Sequence, residues 1–150
     1  MKTIFTHSAL ALALLCASAA QAQDAAVCGT LGKLMPQVKK GFPDFKGKMR
    51  TDELWQATYL MPGAESCNIW LVEDEQKYEG GKYYQYSCSF DASDKKTAVE
   101  MVAELSSGIE ACMPEMKRSM VGTTIFLQAP QGKIQITTRP SSYEIDFRVD

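Results

Sequence analysis

The chain is poor in histidine: His7 is the only one in 150 residues. It lies in a segment that the sequence marks for removal. Lys2 supplies a positive start, and Ala9 to Ala20 is an apolar run of Ala and Leu broken only by Cys16 and Ser18. Ala20-Gln21-Ala22 then places small residues at the two positions a signal peptidase reads. Residues 1–22 therefore read as a secretory signal peptide cleaved before Gln23. The run is too short to span ~30 Å of hydrocarbon and has no basic stop-transfer flank. Leu15 precedes Cys16, where a lipoprotein signal carries a small residue. The expectation is a bacterial periplasmic or secreted protein with no stable membrane insertion after cleavage.

Without His7 the remaining chain has no imidazole. That excludes Ser-His-Asp and Cys-His catalysis and every zinc site that uses histidine. It also removes the usual proton-transfer group near neutral pH. No C-x-x-C pair exists, so zinc and thioredoxin-type redox chemistry lack their usual signature. A clustered basic face is missing as well, since the Lys39-Lys40 and Lys117-Arg118 pairs are too short to form one. Loss of Lys2 shifts the formal charge from −2 to −3, which does not favour nucleic acid as a partner. The reading is of a protein with no catalytic residues, no metal and no cofactor.

What remains is ordinary in amount: 45% hydrophobic and 23% charged residues, the balance of a globular chain rather than a disordered one. Residues 23–150 are read as a single domain. Val27, Leu31, Leu34, Met35 and Val38 recur at helical spacing, with Pro36 set to kink or end the helix and Gly41-Phe42-Pro43 to close it. Leu54 to Met61, Cys67 to Glu73 and Lys82 to Phe90 are rich in β-branched and aromatic residues and read as strands. Pro62-Gly63 and Gly80-Gly81 turn between them.

The order then repeats. Ser93 or Asp94 can cap a second helix, with Thr97 and Glu100 as a capping-box alternative. Ala98, Met101, Val102, Leu105, Ile109, Cys112 and Met113 fall on one face of it. Thr123 to Gln128, Lys133 to Arg139 and Tyr143 to Val149 read as three more strands, with turns at Gln131-Gly132 and Pro140-Ser141-Ser142. Ile134 and Ile136 alternate with Gln135 and Thr137. Tyr143, Ile145, Phe147 and Val149 alternate with Glu144, Asp146 and Arg148. Such alternation predicts an antiparallel sheet with one wet face. The predicted fold is α+β in the order α-βββ-α-βββ, about six antiparallel strands with two helices on one face. Element order alone raises an internal duplication, with coincidence as the alternative. The final strand reads as an edge whose alternating charges discourage pairing.

Cys28-Gly-Thr-Leu31 leading to Phe42-Pro-Asp-Phe45-Lys-Gly47, then Trp55-Gln-Ala57, Leu60-Met-Pro-Gly-Ala64-Glu-Ser-Cys67-Asn-Ile69, Tyr86-Ser-Cys88-Ser-Phe90 and Ala111-Cys112-Met113 resemble a group of small exported bacterial proteins with four cysteines. The resemblance covers roughly residues 28–113. It implies shared architecture and export, and no activity.

Three features could form sites. Glu73-Asp74-Glu75 with Glu79 is acidic but lacks a known calcium-loop spacing, so a solvated tip is the plainer reading. Asp91 and Asp94 suit turn and cap roles. Tyr78, Tyr83, Tyr84, Tyr86 and Trp70 make an aromatic hairpin in which Tyr83 and Trp70 point away from the core-facing set. Trp70, Tyr83, Glu73 and Asp74 are therefore the interface candidates, with ordinary strand packing as the alternative. A non-catalytic binding protein follows as the expected function, for example an immunity protein or an inhibitor of an envelope-targeting enzyme, meeting another protein in the periplasm. A carboxylate-dependent glycan hydrolase and a structural envelope component are the alternatives.

The four remaining cysteines, Cys28, Cys67, Cys88 and Cys112, form an even set in an exported chain and read as two disulfides with three possible connectivities. Geometry chooses among these. Cys67 and Cys88 lie opposite each other in the hairpin, where Cα atoms approach to ~4.5–5.5 Å. By Cys112 the second helix has run on the order of 25 Å towards the other end of that hairpin. If the helices are antiparallel, Cys112 meets Cys28. The predicted bonds are Cys67–Cys88 and Cys28–Cys112, the second closing the longer loop and contributing on the order of 2–4 kcal/mol. The intact mass of exported material is expected to match a chain beginning at Gln23; a lipid-modified Cys16 terminus would refute the processing site.

Overall fold

A computed structural model describes residues 24–74, 81–139 and 145–150, with the backbone alone described at position 145. The leader up to Ala22, Gln23, Glu75, Tyr78, Glu79, Gly80, the Pro140-Ser141-Ser142 turn, Tyr143 and Glu144 lie outside these residues. The domain is α+β. Helix α1 (24–34) gives way at Pro36 to a 3-10 segment, Met35–Lys40, because proline has no N–H to continue the α ladder. Gly41 closes it in the left-handed conformation (φ 74°). Its role is also one of space: a Cβ there would sit 2.4 Å from the Tyr84 ring.

Eight strands follow in the described chain: β1 Lys46–Thr51, β2 Leu54–Ala57, β3 Ser66–Glu73, β4 Lys82–Phe90, β5 Lys117–Val121, β6 Thr124–Ala129, β7 Gly132–Thr138 and β8 Ile145–Val149. Helix α2, Lys95–Cys112, separates β4 from β5. Asp94 caps it by accepting from the Thr97 amide (2.9 Å), which holds its carboxyl below the usual range. The Thr97–Glu100 alternative is not used as the cap.

All strands join one antiparallel sheet in the order β1-β2-β3-β4-β8-β7-β6-β5. This corrects the sequence reading in three ways. The sheet has eight strands rather than six. The two extra strands, β1 and β5, are its edges, and their polar, largely exposed residues carry no core-facing alternation. The final strand is not an edge; β8 lies between β4 and β7, where Phe147 and Val149 are fully buried. The strand expected over Leu54 to Met61 stops at Ala57, and Met61 fills the core from a turn. Each half is thus a helix followed by a four-strand meander, and the halves meet along β4 and β8.

Inward residues of β3, β4, β6, β7 and β8 pack with Val27, Leu31 and Leu34 of α1 and with Ala98, Val102 and Ile109 of α2 in one core. Gly132 lets the 3-10 segment press on β7, since a Cβ there would meet the Asp150 carbonyl at 2.8 Å and Val38 at 3.0 Å. The polar strand β1 is fastened by Lys46, whose ammonium lies 3.5 Å from the Tyr84 ring centre and 4.3 Å from that of Trp55. Each layer holds one disulfide. Cys67–Cys88 ties β3 to β4 and Cys28–Cys112 ties the two helices, the predicted pairing.

Tyr86 stands at the middle of the core. Its ring meets Phe42, Phe45 and Phe147, and its hydroxyl donates to the Tyr59 carbonyl (2.9 Å). Burial pushes its phenol well above the ordinary value of 10.0. The folded state therefore favours the protonated phenol. Its contribution is complete below that ordinary value and is lost as pH rises towards the higher folded value. Tyr86→Phe is expected to cost about 1 kcal/mol at neutral pH through the lost hydrogen bond. It is also expected to flatten the fall of stability in alkali; parallel stability–pH curves for the two proteins would contradict this.

Candidate functional site

Strand parity divides β3 cleanly. Cys67 and Ile69 enter the core, so Asn68, Trp70 and Val72 face outward. The register then builds rows across the sheet: Asn68 opposes Ser87, which opposes Arg148, which opposes Gln135. Trp70 opposes Gln85 and remains 42% exposed. Asn68, Trp70, Val72, Gln85, Ser87 and Arg148 line a shallow groove of about 320 Å³ on the outer face.

Charge in the groove is organised by Asp146, which is 5% exposed. Arg139 donates to its Oδ2 from Nε and Nη2, both at 2.8 Å, and Arg148 reaches the same oxygen from Nη2 at 3.4 Å. Two guanidinium groups thus share one carboxylate oxygen. Arg148 Nε is buried without an acceptor among the described residues. Asp146 is the outward neighbour of Phe147, so the same strand supplies core and charge.

The sequence-derived candidates fall in two places. Trp70 lies in the outer groove. Tyr83, opposite Val72, is half-buried at the end of the sheet. Glu73 pairs with Lys82 at 2.5 Å across the β3–β4 hairpin, which raises the lysine pKa through that hydrogen bond and charge. Asp74 is held by its amide, which donates to the Gly81 carbonyl (2.7 Å). Asp91 is exposed and Asp94 is the α2 cap. Tyr84 and Tyr86 are packing residues, as their parity requires.

Sequence reading misses Arg139, Asp146 and Arg148 as site residues, although Asp146 and Arg148 alternate outward on the last strand. A second omission is a cleft of about 690 Å³ at the sheet end, where Lys39, Lys40, Lys82 and Lys133 converge beside Tyr83. Those lysines come from three points along the chain that only the fold brings together. Each of the four described clefts has a single acidic lining residue: Asp150, Glu115, Asp146 or Glu65. A carboxylate pair facing across a cleft is absent from these four, so the hydrolase reading gains no support from them. Among the described residues, no helix is long and apolar enough to cross a membrane. Compared with known proteins, the chain matches no family model, no curated protein and no solved structure.

Because Asp146 is the shared acceptor, Asp146→Ala leaves both arginines facing each other without it. Both are partly exposed, so water screens part of the cost. A loss of about 1–2 kcal/mol in denaturant unfolding is expected. An unchanged unfolding midpoint would show that the cluster contributes nothing to the fold.

Proposed function

We propose that the protein is a non-catalytic binding protein whose outer sheet face docks an acidic protein partner. The observation that carries the reading is Trp70, exposed on a rigid face beside the Arg139–Asp146–Arg148 cluster. Trp and Arg are the residue types that dominate binding hot spots, because each offers a large contact area and directional donors. The strands hold both in place, so little ordering entropy is lost on docking. The partly exposed guanidinium groups of Arg139 and Arg148 favour a partner that brings carboxylates or carbonyls. Two disulfides fit an oxidising compartment, and with the leader they support export to the periplasm or beyond. The reading places the chain with the exported four-cysteine proteins it resembles, acting as an immunity protein or an inhibitor of an envelope-targeting enzyme.

The test is affinity capture from periplasmic extract and medium by immobilised mature protein, followed by titration of the partner recovered. Trp70→Ala is expected to weaken the complex by roughly 2 kcal/mol, about thirtyfold, with the unfolding midpoint unchanged. Tyr83→Ala, at the margin of the face, should weaken it less. Unchanged affinity with reduced stability would make both residues packing elements and sink the proposal.

A further inference from the structure

The cleft at the sheet end is separate from the outer groove, and its chemistry is different. It opens where β4 runs past its last pairing with β8, between the start of β4, the β6–β7 turn and the 3-10 segment. The whole chain is acidic, with formal charge −2, yet four lysines line this one cavity. Two of them are compensated: Lys82 by Glu73 and Lys133 by Asp150 (3.3 Å). Lys39 and Lys40 are exposed and have no acidic partner among the described residues. Lysines therefore outnumber acids four to one among the described residues that line the cavity.

We propose that this cleft binds a phosphate monoester, with Lys39 and Lys40 meeting the dianion. The choice of cation points to phosphate. No arginine lines the cleft, so the planar fork that suits carboxylates is missing, and lysine meets a rounded, multiply charged anion as a mobile point charge. Size points to an ester rather than the free ion. The cavity volume of about 690 Å³ falls in the range of organic-ligand sites and is far more than inorganic phosphate fills. Val38, Ala129 and Pro130 give the body of the ester an apolar wall. The ester has two sources, a soluble metabolite or the headgroup of a lipid.

Calorimetric titration of the mature protein with glycerol phosphate, and sedimentation with phosphatidylcholine vesicles containing phosphatidic acid, distinguish these. Binding of glycerol phosphate that weakens at raised salt supports a soluble ester. Binding to the phosphatidic acid vesicles alone supports a lipid source. In either case the double substitution Lys39→Gln/Lys40→Gln is expected to weaken binding at least about tenfold. Lys95→Gln/Lys96→Gln, at the far end of β4, should leave it unchanged, and so should Trp70→Ala. Both lysine pairs are exposed, so the variants are expected to fold. The proposal is overturned if neither probe binds, or if the Lys95/Lys96 pair matters as much as Lys39/Lys40. Loss of binding in Trp70→Ala would also overturn it, by moving the site to the outer face.

Discussion

The register between β4 and β8 is the constraint on which the rest of the molecule depends. Cys88 opposes Phe147 and Tyr86 opposes Val149, and among the described residues no other strand pair joins the two meanders. Side chains alternate with period two, so a slip of one residue would exchange the two faces of β8. Phe147 and Val149 would turn to water, and Asp146 and Arg148 would enter the core. Burying two charged groups without their partners costs several kcal/mol each, a large fraction of what holds a domain of this size together. The register is thus set as strongly by what must stay wet as by what must stay dry.

That seam also explains why core and outer groove are one design problem. Tyr86 reaches from β4 to the Tyr59 carbonyl and contacts Phe147 on β8, so the turn after β2 is anchored to the centre of the sheet. One residue along, Ser87 lies between Asn68 and Arg148 on the opposite face. The rigidity of the groove is borrowed from the aromatic cluster behind it. Trp70 can stay exposed because Cys67 and Ile69 already fasten β3 to the core side.

Much of this was legible in the residues. The amphipathic stripe of α2, its Asp94 cap and the alternation of β7 and β8 are local signals, and they read correctly. So did the cysteine pairing, because hairpin geometry and helix length leave little choice. The edge strands were not legible. Lys46–Thr51 and Lys117–Val121 have no buried face, and a strand without one has no period to detect. The centrality of β8 was hidden for a related reason. Alternating charge is equally compatible with an edge and with a central strand whose outer face is wet, and only the pairing of β4 decides. The lysine cleft was invisible because Lys39-Lys40 reads as solvated surface until Lys82 and Lys133 are brought beside it.

The two disulfides differ in span, and that difference imposes a timetable. A chain is synthesised from its N-terminus, so Cys28 is present long before Cys112, which lies 84 positions later. In the interval the cysteines it can meet among the described residues are Cys67 and Cys88. These two are 21 positions apart in one hairpin, so their meeting costs less loop entropy than a meeting of Cys28 with either of them. The hairpin bond therefore does more than stiffen β3 and β4: it withdraws both decoys from circulation and leaves Cys28 to its partner on α2. A chain with that hairpin bond broken would offer Cys28 two competing thiols before the fold was complete.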